Sequence, residues 1–114
     1  MNTTKTRTQL IREAAEKLNI VGTGQVLEAE YSQRFDDSID PLFMQLAKDG
    51  ICEVVNDELI PSEWFDALAG LLGNICAPLG GKGYDPRIKD FYEMQLRRLT
   101  SSLPSYGVQE VEYF

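Results

Sequence analysis

Histidine is absent from all 114 residues. Without an imidazole the chain has no Ser-His-Asp or Cys-His nucleophile pair. It also has no His-ligated zinc and no side chain that ordinarily titrates near neutrality. Carboxylate-only chemistry is the enzymatic class this absence leaves open. Cysteine is scarce: Cys52 and Cys76 stand 24 residues apart in no metal or redox motif. They read as two reduced, partly buried thiols. No apolar run approaches the roughly 18 residues of a membrane span, and Met1 to Thr8 is polar and threonine-rich. Neither a spanning helix nor a secretory signal is expected, so the sequence reads as that of a cytoplasmic protein. Internal repeats and low-complexity tracts are also lacking.

The composition is otherwise that of an ordinary globular domain, 43% hydrophobic and 25% charged, which argues against wholesale disorder. The length suits one domain with a real core. The net charge of −7 is unevenly spread. Residues 1–27 carry four basic and two acidic groups, and residues 82–99 carry five basic and three acidic. Residues 28–66 carry eleven acids against Arg34 and Lys48. A chain this acidic is poorly suited to clamping DNA through phosphate contacts. An acidic middle between basic ends fits head-to-tail association of unlike patches on neighbouring copies. It equally fits a solvated acidic face.

Periodicity predicts helices along most of the chain. Thr6 or Thr8 can cap the first, with Gln9 at capping-box spacing from Thr6. Leu10, Ile11, Ala14, Ala15 and Leu18 form its apolar face, and Asn19 is a plausible stop. A second segment spans about Val26 to Asp49, with Leu27, Tyr31, Phe35, Ile39, Leu42, Phe43 and Leu46 in register. Asp40-Pro41 interrupts it, and because the register survives the break, a kinked helix or a closely stacked pair is expected. Gly50 ends it, and Ile51 to Ile60 reads as extended chain around Asn56-Asp57, either a small hairpin or a connector. Pro61 suits the first turn of a third helix, followed by the acids Glu63 and Asp66. Leu68, Leu71, Leu72, Ile75 and Leu79 form its stripe, with Trp64, Phe65 and Cys76 adding bulk. Ala77-Pro78 stops the helix, and Gly80-Gly81-Lys82-Gly83 turns the chain. Asp85-Pro86 starts a fourth helix whose stripe is Ile88, Phe91, Tyr92, Leu96, Leu99 and Leu103. Beyond Thr100, serine, proline and glycine loosen the chain, and Val108 to Phe114 is extended in character. The expected fold is all-α: four main helices in a bundle with a short extended connector. Residues 1–103 form the helical domain and 104–114 an extended C-terminal arm.

Motifs with chemistry are weak. Gly22-Thr23-Gly24 lacks the strand and the glycine pattern of a phosphate loop, and at Gly80–Gly83 the lysine is followed by glycine and preceded by a helix. Asp36, Asp37 and Asp40, and Asp57 and Glu58 with Glu63, could serve carboxylate catalysis only with one acid in an apolar pocket. They match no EF-hand spacing, and a solvated face is the expected reading. Lys89, Arg97 and Arg98 suit the negative end of a helix dipole. No catalytic residue, metal site or cofactor is therefore assigned, and the chain is read as a non-enzyme. The arm is the most functional-looking element, because a helical bundle has no evident reason to end in Tyr113-Phe114. It reads as a strand or a set of aromatic anchors for a partner.

Leu10 to Leu18 followed by Ile20-Val21-Gly22-Thr23-Gly24 resembles the opening of head-to-tail adaptors of tailed phages, in particular the tail accessory factors of short-tailed phages. Leu42 to Gly50 resembles the end of that family's second helix, and Ile60 to Phe65 through Ala77 to Gly80 its third helix and following loop. The resemblance covers about residues 8–99. It implies a homo-oligomeric ring, dodecameric in that family, that docks below the portal protein, extends the DNA channel and helps retain packaged DNA. It further implies that later tail proteins (nozzle or stopper) add to the ring, and that DNA passes through without sequence-specific binding. The site is then the virion's head–tail junction, with assembly in the host cytoplasm and no membrane partner. The arm is expected to reach the portal through Tyr106, Val108, Val111, Tyr113 and Phe114. A small acidic regulatory or antitoxin-like protein-binding module is the alternative, and a carboxylate-dependent wall hydrolase a third reading.

Overall fold

The computed structural model describes residues 4–22 and 24–101. Four α-helices carry the described chain: α1 (Arg7–Lys17), α2 (Ala29–Lys48), α3 (Ser62–Ile75) and α4 (Pro86–Ser101). Two two-residue strands, β1 (Thr4–Lys5) and β2 (Ile60–Pro61), pair antiparallel, Thr4 opposite Pro61 and Lys5 opposite Ile60. The fold class is the all-α arrangement that periodicity predicts.

The helix ends follow local chemistry. Thr6 caps α1 through a complete capping box: Gln9 N–H donates to Thr6 Oγ1, and Thr6 N–H donates to Gln9 Oε1. Asn19, at φ 61°, and Gly50, at φ 72°, take the left-handed conformation that ends α1 and α2. Asp85 Oδ1 accepts from the backbone N–H of Arg87, and Pro86 occupies the first position of α4. Pro61 caps α3 from outside the helix instead of lying in its first turn, because its φ of −56° and ψ of 133° keep it extended in β2.

α3 is the hub of the core. It packs chiefly against α1 and α4, with α2 also leaning on it. Every residue from Ala67 to Asn74 is buried. A single apolar stripe is thus a correction: α3 is enclosed on all sides, and a helix apolar around its circumference belongs inside. Ala67, Ala69, Gly70 and Gly73 supply the small surfaces that let neighbours approach. Phe35, Ile39 and Leu46 of α2, Leu10 of α1 and Leu96 of α4 close on it, each almost fully buried.

The structure settles three further points. α2 is one helix across Pro41, so Asp40 caps nothing and no stacked pair forms. Pro41 lies on the exposed side, so the bond missing at the Asp37 carbonyl falls where water can reach it, while the buried face runs on unbroken. The helix also starts at Ala29, three residues later than expected, with Val26 exposed. Residues 51–59 are a connector closed by a turn at Asn56 to Leu59, where Asn56 Oδ1 accepts from Glu58 N–H. The strand partner of Ile60 is Lys5, not a residue of that connector, so no hairpin forms there.

Candidate functional site

The acidic residues hold the first structural surprise. Asp36 and Asp40 of α2 and Asp57 of the connector converge on Arg7 instead of forming a merely solvated face. Arg7 Nε donates to Asp36 Oδ1 at 2.7 Å, and Nη1 donates to Asp40 Oδ1 at 2.9 Å and Asp57 Oδ2 at 2.6 Å. Nη2 donates to the Asp36 carbonyl at 2.9 Å. Only 16% of the Arg7 side chain is exposed. Partial burial pulls its pKa down, but the hydrogen bonds to the three carboxylates outweigh this and carry it above its ordinary value. A cation opening a helix opposes the macrodipole; here the carboxylates cover it. The cluster fixes the start of α1 to α2 and the connector, and is an architectural clamp. Sequence reasoning missed it because the partners lie 29, 33 and 50 residues away, beyond any local spacing rule.

The glycine turn is structural too. After the 3-10 turn Ala77–Gly80, Gly81 adopts φ 76°, and the Lys82 N–H donates to the Ala77 carbonyl. Asn74, which no motif singled out, fixes the entry to α4. Its Nδ2 donates to the Asp85 carbonyl and its Oδ1 accepts from the Asp85 N–H, both at 2.9 Å. The residue that caps α4 is thus tied to α3 by a buried amide. A lone apolar-face asparagine was the only sequence signal for it.

Cys52 and Cys76 are buried free thiols. Burial pushes the Cys52 thiol up to about 11. Burial also raises Cys76, against an opposing hydrogen bond with Ser38. Such thiols hold their protons at neutral pH and are poor nucleophiles. Among the described residues no group of three or more His, Cys, Asp or Glu is placed to hold a metal. No described helix is long and apolar enough to cross a membrane.

Two surface features remain. The first is the outer face of α4. Ile88 and Phe91 belong to the expected buried stripe, yet they are 40% and 63% exposed, and Met94 is 53% exposed. Of that stripe, Leu96 is fully buried and Tyr92 packs partly buried against the core, so these two form the inward face of α4 on α3. Arg87, Phe91 and Met94 are spaced i, i+4, i+7 along that outer face, and Arg98 Nη2 donates to Met94 Sδ. Arg97, like Arg87, is exposed. Lys89 turns the other way and pairs with Glu93 at 2.8 Å, a bond that raises its pKa.

The second is a largely apolar groove of about 290 Å³ between α2 and α4. Leu71 and Ile75 of α3 form its floor, Pro41, Leu42 and Gln45 one wall, and Tyr84 and Lys89 the other. Ile75, expected in the core, is 41% exposed there, and Tyr84 is 49% exposed. Asp37 stands at the α2 rim.

The expected portal-binding residues Tyr106, Val108, Val111, Tyr113 and Phe114, like Leu103, lie outside the described residues. No protein-family model, curated protein or solved structure matches the chain.

Proposed function

We propose that this protein is a head-to-tail adaptor subunit of a tailed phage, assembling as a ring on the portal protein and extending the DNA channel. The observation that carries the reading is the pairing of a rigid helical body with an apolar outer face on α4, where Phe91 is 63% exposed. A helix that leaves Ile88, Phe91 and Met94 in water at regular spacing is suited to a protein contact. The acidic span 28–66 beside a more basic α4 suits unlike patches meeting between copies. In this reading the Arg7 cluster and the Asn74 tie keep the subunit rigid, so that little ordering entropy is lost on assembly.

The experiment is light scattering of the full chain, alone and mixed with the portal of the same phage. A ring or a portal-dependent assembly is expected. A monomer that ignores the portal would overturn the adaptor reading and favour a small acidic binding module.

A further inference from the structure

We propose that the apolar hollow between α2 and the connector receives the outer face of α4 from a second copy, with the carboxylates around Arg7 meeting the incoming arginines. The inference rests on the assembly reading above and names the two surfaces that would carry it.

The hollow measures about 570 Å³, with Phe43 and Met44 of α2 on one wall and Val54 and Val55 of the connector on the other. Met44 is 72% exposed and Val55 90%, so each wall leaves an apolar side chain in water. Its rim is short of positive charge. Asp40 and Asp57 stand there, and Arg7 serves both of them together with Asp36. Arg7 engages one oxygen of each carboxylate, and one guanidinium among three carboxylates leaves the cluster negative. Asp40, 72% exposed, is within reach of a second cation from outside. Asp49, Glu53 and Glu58 are exposed on the flanking chain, as is Lys48. With Arg7 and Lys48 both counted, these six acids still exceed the bases by four.

The outer face of α4 is the complement. Phe91 and Met94 are the two most exposed apolar side chains on that helix. Arg87, Arg97 and Arg98 are exposed with them, and so is Asp90, which leaves a surplus of two positive charges. Of the pairings these surfaces allow, hollow on hollow brings two negative rims together. Pairing α4 with α4 sets three arginines per copy against one aspartate per copy. The unlike pairing sets a negative rim against a positive face and buries apolar side chains from both. Phe91 then enters between Met44 and Val55 as the aromatic anchor, beside a thioether that suits a ring. Because the two surfaces differ, the contact can repeat from copy to copy, as a ring requires.

The test mixes full-length copies bearing Met94→Cys with copies bearing Val55→Cys and treats them with a short bis-maleimide, with and without portal. Both positions are exposed, while the native thiols are buried and protonated. Cross-linked dimer is expected in the mixture, and little from either variant alone. Adding Phe91→Asp to the Met94→Cys copies should abolish it while helical circular dichroism stays unchanged. Adding Arg87→Glu and Arg97→Glu instead should lower the yield about threefold or more, as befits exposed ion pairs. Cross-linking of Met94→Cys copies with themselves as strong as in the mixture, indifference to Phe91→Asp or to the charge reversal, or no cross-link in an assembly that light scattering shows to form would overturn the hollow as the contact while leaving the adaptor reading intact. Absence of any assembly, alone or with portal, would overturn both.

Discussion

Arg7 shows how one side chain can organise a surface that composition alone describes only as acidic. Its three carboxylate partners are 42%, 72% and 35% exposed, so each pair singly belongs among the weaker ion pairs. The guanidinium itself is mostly covered, however, and removing it leaves three acids facing one another. Arg7→Met should therefore destabilise by about 1–3 kcal/mol, between the exposed and buried limits, read as a lowered urea midpoint. Arg7→Lys keeps the charge but not the fork, and should recover about half of the loss. Cys52 gives a residue-scale pH dependence. Its thiol titrates at about 11 in the fold against an ordinary 9.0, because burial disfavours the thiolate. The unfolded chain therefore releases that proton first as pH rises. The resulting contribution is fully present below pH 9 and is lost between about 9 and 11. Melting temperatures at pH 8 and pH 10.5 should thus differ more for the wild type than for Cys52→Ala, which has nothing to ionise. Equal differences would show that other groups control the alkaline limb.

At the scale of elements, α3 separates what local pattern can specify from what it cannot. Leu68, Leu71 and Leu72 are legible as core from their spacing, and so are the caps at Thr6 and Asp85, since both depend on neighbours in sequence. The enclosure of α3 on every side is not legible, because Gly70 and Gly73 read as helix-weakening residues until α4 and α1 are seen beside them. Two substitutions distinguish the roles. A Cβ at Gly70 would fall 2.3 Å from the Tyr92 ring, whereas at Gly73 the nearest atom is the Ala14 carbonyl oxygen at 3.6 Å. Alanine is worth up to about 1 kcal/mol over glycine inside a helix. At Gly73 nothing opposes that gain, so Gly73→Ala should stabilise by about 0.5–1 kcal/mol. At Gly70 the half-buried ring must swing out of the α3–α4 seam, so Gly70→Ala should destabilise by about 1–3 kcal/mol despite the propensity gain. Thermal unfolding of both variants checks the opposite signs. Combining Gly70→Ala with Tyr92→Ala should cost less than the sum of the two, since the clash disappears with the ring.

For the whole molecule, the fold class and helix order follow from the chain's periodicity, while the candidate surfaces follow from what tertiary packing leaves over. Ile75, Ile88 and Phe91 keep helical spacing with true core residues, and only the tertiary arrangement of the helices decides that they stay outside. The same logic separates body from arm. The described core extends from Leu10 to Leu96, and Thr100 Oγ1 donates to the Ile51 carbonyl at 3.2 Å near the end of α4. Removing residues 104–114 leaves every one of those contacts in place. If the arm carries portal docking, the truncated protein should keep its helical circular dichroism and lie within a few degrees of the full chain's melting temperature. It should at the same time lose portal binding in co-sedimentation. Losing the fold together with binding would instead assign Tyr113 and Phe114 to the subunit's own core. Unchanged binding would move the docking surface onto the helical body, where the outer face of α4 is the next surface to test.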